Sequence, residues 1–335
     1  MIASVVIPTY KRPDLLRRCL EALSMQVYPA GEYEIIVVDD AGCEHTREVV
    51  EDYAARAKQA PPGQQGRKGP SAPQRICYLA ATETQGPAAA RNLGWRNAQG
   101  QFIAFTDDDC IPKPDWLKEG VAALMSGLDG ASGRIIVPLS GRPTDYEKNT
   151  SLLSESEFVT ANCFYRRSAL EAVGGFDESF KMAWREDSEL FFRLLENSYK
   201  LGRAPGARVV HPVRPARWGV SLSEQRKSLY NALLFKKYRS LYRTRIQPLP
   251  PIRYYLIVLS ALVGAAALLL GSRGAALGAG LVWLLLTLQF AWQRLRQTRR
   301  TPGHVFEMLV TSMLIPPLSV YWRLAGAWRY RVLFF

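Results

Sequence analysis

Over its first two hundred residues the chain alternates short apolar runs with polar turns, and then it changes to long apolar stretches. Residues 4–8 (SVVIP), 33–38 (YEIIVV), 75–80 (RICYLA), 102–105 (FIAF) and 131–137 (ASGRIIV) are brief and rich in β-branched or aromatic side chains, the pattern of buried strands. Residues 158–165 (FVTANCFY) and 207–210 (ARVV) read as further strands, the first lining a pocket. Between these runs the period changes. Leu15, Leu16, Cys19, Leu20 and Leu23 recur at helical spacing behind Asp14, a possible cap. Residues 46–58 predict a second helix, and 86–98 (GPAAARNLGWRNA) a loop running into a third. Leu190, Phe191, Leu194 and Leu195 form the buried face of a helix that follows Trp184-Arg185-Glu186-Asp187. A strand, a helix and a second strand in this order make a βαβ unit, the start of a doubly wound α/β sheet.

In such sheets ligands bind beyond the carboxyl ends of the strands. Two carboxylate groups fall there: Asp39-Asp40 after the second strand, and Asp107-Asp108-Asp109 after FIAF. Three adjacent carboxylates repel one another, and burying them calls for a cation. Mg²⁺ or Mn²⁺ suits hard oxygen ligands and typically bridges a few carboxylates to substrate phosphates. Glu186 and Asp187 sit at a helix N-terminus, where the dipole favours negative charge, so capping alone would account for them. Arg91 and Arg96 fall on the helix after Gly86. A cation beside a phosphate would be sensible there, but an exposed helical arginine is the commoner case. Residues 59–74 (QAPPGQQGRKGPSAPQ) have the composition of a mobile surface insertion.

Charge divides the 335 residues unevenly. Residues 1–198 carry 22 basic and 28 acidic side chains, whereas residues 199–335 carry 21 basic and 2 acidic ones. The basic half coincides with the apolar stretches, which favours an anionic membrane surface over nucleic acid. Five scattered cysteines without a CxxC pair suggest a reducing compartment. The N-terminus enters a strand pattern directly, with no signal-peptide pattern, so the first domain is expected in the cytosol.

Residues 252–271 hold a single charge, Arg253, and are long enough to cross the bilayer as a helix. Residues 274–293 repeat the pattern after Ser272-Arg273, which predicts a tight antiparallel hairpin. Both outer flanks, 236–253 and 294–300, are basic, which places both ends on the cytosolic side. Residues 221–242 read as a basic amphipathic helix in the headgroup plane. Residues 305–324 are interrupted by Glu307 and Pro316-Pro317; they predict a re-entrant or interfacial segment, with a third span left open. Trp322, Arg323, Trp328, Arg329, Tyr330 and Arg331 have the character of an interface anchor. The expected division is an α/β domain at 1–220, a linker helix at 221–251 and a membrane region at 252–335.

SVVIPTYKRPDLL, YEIIVVDD, GPAAARNLGWRNAQGQFIAFTDDDCIPKPDWL and WREDSELFFRL, in this order, resemble family 2 of the glycosyltransferases, with the GT-A fold. The resemblance covers residues 2–211. It implies inverting transfer of a sugar from a nucleoside-diphosphate donor such as a UDP-, GDP- or dTDP-sugar. Glu186-Asp187 favours a hydroxyl acceptor, and the membrane half a lipid-linked or envelope glycan at the cytosolic face of the inner membrane. It also implies roles for residues. Asp109 would ligate the metal directly, with Asp107 or Asp108 nearer the ribose and the metal's waters, and His211 would complete the metal site. Pro8, Thr9, Arg12 and either Asp39 or Asp40 would hold the nucleoside, and Arg91 would lie on the donor side. Asp187 would be the catalytic base and Glu186 a neighbour that positions the acceptor. Arg214–Trp218 (RPARW) has Arg where processive relatives carry Gln in QxxRW, which argues against processivity. A polyprenyl-phosphate sugar synthase, a nucleotidyltransferase and a non-catalytic membrane scaffold remain alternatives.

Overall fold

The computed structural model describes residues 1–29, 31–59, 73–82 and 85–334. Most of the insertion expected at 59–74 lies outside the described residues. The chain divides into two compact units, 1–138 with 151–213, and 139–150 with 214–335.

The first unit is built on one eight-stranded mixed sheet. Its strands are β1 (Ala3–Thr9), β2 (Tyr33–Asp39), β3 (Arg75–Ala80), β4 (Phe102–Phe105), β5 (Ile111–Pro112), β6 (Gly130–Ile136), β7 (Cys163–Arg166) and β8 (Leu201–Val210). Their order across the sheet is β3-β2-β1-β4-β7-β6-β8-β5. The first four are parallel, as βαβ crossovers require, and β7 then runs antiparallel to both β4 and β6. The strand expected at 158–165 is therefore only half a strand. Phe158 takes a left-handed φ of 50° and stacks on Phe191, and residues 160–162 form a 3-10 turn before β7 begins.

Helices α1 (Pro13–Ser24), α2 (Glu44–Gln59), α3 (Pro87–Asn97) and α4 (Trp116–Met125) cover the sheet. In α1, Leu16, Cys19, Leu20 and Leu23 form the buried face, as their spacing predicts. Helix α3 lies so close to β1 and β2 that a Cβ on Gly94 would come 2.4 Å from Val6 Cγ1. The three parallel strands β1, β2 and β4 end side by side at Thr9, Asp39 and Phe105, and the acidic turn 106–109 leaves that edge.

In the second unit the long helices Ile252–Leu269 and Arg273–Leu295 form an antiparallel pair. With Pro302–Arg329 they are the three helices among the described residues that are long and apolar enough to cross a membrane. Two expectations change here. Residues 221–242 are not one amphipathic helix but a broken run whose main piece is Ser228–Lys237, ended at Tyr238 by a non-helical φ of −135° and ψ of 63°. Its apolar residues Ala232, Leu233, Leu234 and Phe235 are buried rather than turned to a headgroup plane. Pro316-Pro317 does not interrupt the last helix, which continues unbroken for 28 residues. Ile315 packs there against Ile257 and Phe290, and such neighbours let a helix tolerate the donors that proline removes.

Candidate active site

At the end of β1, Thr9 Oγ1 donates to Asp108 Oδ2 at 2.8 Å, and Arg12 Nη1 lies 3.3 Å from Asp108 Oδ1. These bonds join the first and fourth strand ends. Burial is the main influence on the Asp108 carboxyl and pushes it up to about 6, against the opposing charge of Arg12. Pro8, the residue before Thr9, lies within β1 and is half-buried.

The two carboxylates after β2 have different surroundings. Asp39 is fully buried and accepts from the Ala41 and Cys43 amides, at 2.9 and 2.6 Å, and from the Tyr78 hydroxyl at 3.0 Å. It shapes the turn. Asp40 is more open and receives the Gly86 amide on both oxygens, at 3.0 and 2.9 Å. Neither Tyr78 nor Gly86 was singled out by the sequence. The Gly-Pro step at the start of α3 was the available signal, since Gly86 needs its φ of 110°.

Arg91 is not an exposed helical arginine. It is 3 % exposed, and its guanidinium bridges two motifs distant in sequence: Nη2 lies 2.8 Å from Asp107 Oδ1, and Nη1 lies 3.0 Å from Glu186 Oε1. The fork geometry of guanidinium suits two simultaneous carboxylates. The neighbouring Asn92 clamps the turn that precedes the second motif. Its Nδ2 donates to the Phe176 carbonyl at 2.8 Å, and its Oδ1 accepts the Phe176 amide at 2.9 Å.

Glu186 and Asp187 open helix α7 (Glu186–Glu196, with α5 at Asp145–Ser151 and α6 at Arg167–Val173 before it). The residue ahead of them, Arg185, has a left-handed φ of 77°, a strained backbone for a side chain with a Cβ. Asp187 Oδ1 accepts the Ser188 amide at 2.6 Å. Glu186 is buried, and its Oε2 has no hydrogen-bond partner among the described residues. Burial, and then the charge of Asp187, push the Glu186 carboxyl up to about 7. Burial likewise raises Asp187, against the Ser188 amide that it accepts.

Beyond β8, His211 Nε2 lies 3.5 Å from Asp109 Oδ1, and its Nδ1 is buried without a partner among the described residues. Asp109, Cys110 and His211 each offer one ligand atom, all within 4.8 Å of one another. A carboxylate oxygen and an imidazole nitrogen fit Mn²⁺ or Mg²⁺ with room for other oxygen ligands. Cys110 does not fit such an ion. Burial raises its thiol well above the usual range, so it stays protonated. The structure thus gathers Thr9, Arg12 and Asp108 into one group, Asp109 with His211 into a second, and Asp107, Arg91 and Glu186 into a third.

Known proteins share both sequence and fold with this chain. Residues 4–189 match the family model for glycosyl transferase family 2, and residues 102–324 match that for glycosyl transferase family group 2. Glycosyltransferase AglE of Haloferax volcanii is 28% identical over 222 residues, covering 63% of this chain and 67% of the relative. The poly(ribitol-phosphate) beta-N-acetylglucosaminyltransferase TarS of Staphylococcus aureus is 24% identical over 197 residues, 56% of this chain but 29% of the relative. Hyaluronan synthase of Pasteurella multocida is 24% identical over 286 residues, 72% of this chain and 27% of the relative. A mannosyltransferase from Pyrobaculum calidifontis, solved with GDP-Man and Mn²⁺, superposes with a TM-score of 0.57 at 20% identity, covering 95% of this chain and 87% of that one. That likeness concerns the fold. With one family model matching residues 4–189 and the mixed sheet carrying its motifs at one edge, the chain belongs to glycosyl transferase family 2.

Proposed function

We propose that the chain is a membrane-anchored inverting glycosyltransferase that uses a nucleoside-diphosphate sugar, a divalent cation and a hydroxyl acceptor. The observation that carries this reading is the convergence of three groups at one edge of the sheet: Thr9–Arg12–Asp108, Asp109–His211, and Asp107–Arg91–Glu186 with Asp187 alongside. Asp40, the more open of its pair, meets the nucleoside together with Pro8, Thr9 and Arg12, while Asp39 is occupied in shaping the turn. Asp108, held by Thr9 and Arg12, faces the ribose.

Asp109 and His211 would hold the cation. When bound, such an ion offsets the negative charge that develops on the departing nucleoside diphosphate. Asp187 takes the proton of the acceptor hydroxyl as that oxygen attacks the anomeric carbon from the face opposite the leaving group. Glu186 offers its unpartnered Oε2 to an acceptor hydroxyl, which would satisfy a buried oxygen that otherwise lacks a bond. Arg91 keeps Glu186 and Asp107 at a fixed separation.

The names of relatives support an envelope polymer as acceptor. They include a poly(ribitol-phosphate) beta-N-acetylglucosaminyltransferase and a teichuronic acid biosynthesis glycosyltransferase of Bacillus subtilis. The apolar pair Ile252–Leu269 and Arg273–Leu295 supports a membrane anchor, and its basic flanks support a cytosolic catalytic unit. The test incubates the purified full chain with UDP-, GDP- and dTDP-sugars, with Mn²⁺, Mg²⁺ or chelator, and follows the released product. Metal-dependent release of a nucleoside diphosphate from one donor is expected. Release of pyrophosphate would assign the chain to nucleotidyl transfer instead.

A further inference from the structure

Three helices have the length and apolarity of spans, but their partners differ. At 28 residues, Pro302–Arg329 is about 42 Å long, more than a bilayer core needs. Its buried face is tied along its length to the segment 219–247. Near its start Glu307 Oε1 accepts the Gly219 amide at 2.8 Å. Further along, Arg226 lies over the Trp322 ring at 5.8 Å, and Arg323 Nη1 donates to Gln247 Oε1 at 3.2 Å. At its end Gly326 is pressed onto Leu229, where an added Cβ would come 2.7 Å from the carbonyl oxygen. Just beyond, Phe334 packs between Phe235 and Tyr242 at 5.0 and 5.5 Å.

The segment that makes these contacts precedes the first apolar helix and cannot itself enter hydrocarbon. Between 219 and 247 it carries seven lysines and arginines and a single carboxylate, Glu224. Each charge placed at the bilayer centre costs several kcal/mol. A helix bonded to that segment at both ends therefore stays on the same side as the segment. Its middle meets the apolar pair around one cluster. Ile315 touches Ile257, near the start of Ile252–Leu269, and Phe290, near the end of Arg273–Leu295. Arg294 Nη1 reaches Thr311 Oγ1 and Ser312 Oγ at 2.7 and 3.0 Å.

The opposite face of this helix is apolar and exposed. Phe306, Leu309, Met313, Tyr321, Leu324 and Trp328 follow one another at spacings of three, four or eight residues, which is a single stripe. A stripe of that kind opposite a basic support is the form of a helix lying in the headgroup–acyl boundary, half sunk into an anionic leaflet.

We infer that Pro302–Arg329 does not cross the membrane but lies flat in the leaflet on the side of residues 219–247, leaving a two-helix hairpin as the membrane-crossing part. The occupant of its exposed stripe is the bilayer itself. The C-terminus then lies on the same side as the catalytic unit. This inference uses the hairpin of the proposed function but not its chemistry.

Single cysteines at Ser272, between the hairpin helices, and at Leu333, which is exposed after the last helix, test it in intact cells with a membrane-impermeant thiol reagent. Ser272→Cys is expected to label from outside and Leu333→Cys only after permeabilisation. Labelling of Leu333→Cys from outside, with Ser272→Cys also labelled, would make the last helix a third span and overturn the inference. Failure of Ser272→Cys to label from outside would instead overturn the hairpin orientation in the proposed function. Depth gives a second measurement. Tryptophan placed singly at Leu309, Met313 or Leu324, with Trp328 replaced by phenylalanine and the signal of that parent subtracted, should be quenched to similar extents by lipids brominated near the headgroup. A monotonic change in depth along the three positions would sink the flat placement.

Discussion

The imidazole Nε2 of His211 lies 3.5 Å from Asp109 Oδ1, joining the end of β8 to the turn after β4 across a hundred residues of chain. In the proposed function these two atoms would be part of a cation site that substrate phosphates complete. Asp109→Asn and His211→Ala are each expected to weaken Mn²⁺-dependent UDP or GDP binding by about 10- to 100-fold, the scale on which even outer-shell changes act at metal sites. Calorimetry with and without chelator measures it. Binding that is equally tight in chelator would show that no ion bridges the diphosphate.

Asp187 accepts the Ser188 amide at 2.6 Å, so the structure supplies a capping role that the catalytic role must be separated from. Asp187→Asn keeps the shape and most of the cap but removes the base. Transfer should fall by about 10²–10⁴-fold while nucleotide binding survives. A pure cap would predict the reverse, a loss of about 1 kcal/mol in stability with turnover kept. Rate and melting temperature on the same preparation distinguish them.

Glu186 provides a test by pH. Its folded carboxyl is raised by burial and by Asp187 to about 7, above the unfolded glutamate range. A raised acid binds its proton more tightly in the folded state, so its contribution to stability is full at low pH. That contribution is lost as pH rises from the ordinary glutamate range through about 7. Replacing it with glutamine removes the dependence. The melting temperature of Glu186→Gln, compared with the unsubstituted protein in metal-free buffer, should gain on it by several degrees between pH 5 and pH 8, since each pK unit is worth about 1.4 kcal/mol. A difference that stays flat with pH would place the titration elsewhere.

The strand ends were legible because β1, β2 and β4 are short apolar runs that stop at Thr9, Asp39-Asp40 and the three aspartates, and period and punctuation are local signals. The division of labour within those clusters was not. Asp39 and Asp40 look alike in sequence, and only the Ala41, Cys43 and Tyr78 donors around one, against the Gly86 amide on the other, set them apart. Arg91 read as a helical arginine because its two partners lie 16 and 95 positions away. Tertiary packing also overrode local expectation at Phe158, whose left-handed turn replaces half a strand, and at Pro316-Pro317, where the helix continues beside Ile257 and Phe290. The 221–242 segment carried the right residues for an amphipathic helix, yet its apolar side is covered by protein.

Arg91 lends itself to a test of how the two ends of the site are kept in register. Its Nη2 and Nη1 are committed to Asp107 and Glu186, at 2.8 and 3.0 Å, inside a nearly closed environment. Removing the side chain outright would leave the buried Glu186 carboxylate unpaired, a loss of about 3–5 kcal/mol that threatens folding. Arg91→Lys is the better variant, because an ammonium keeps the charge but lacks the planar fork that spans two carboxylates. It is expected to fold, to bind Mn²⁺ with UDP or GDP within about threefold of the unsubstituted protein, and to lose transfer by about 10²-fold, the size of effect that an ångström of misplacement produces. The coupling is measurable directly. Asp107→Asn and Glu186→Gln should be non-additive in kcat/KM by about fivefold or more in the native background, as residues sharing one network are. In the Arg91→Lys background the same pair should become additive. If the pair couples equally in both backgrounds, Arg91 only supports the fold, and some other contact holds the donor and acceptor sides together.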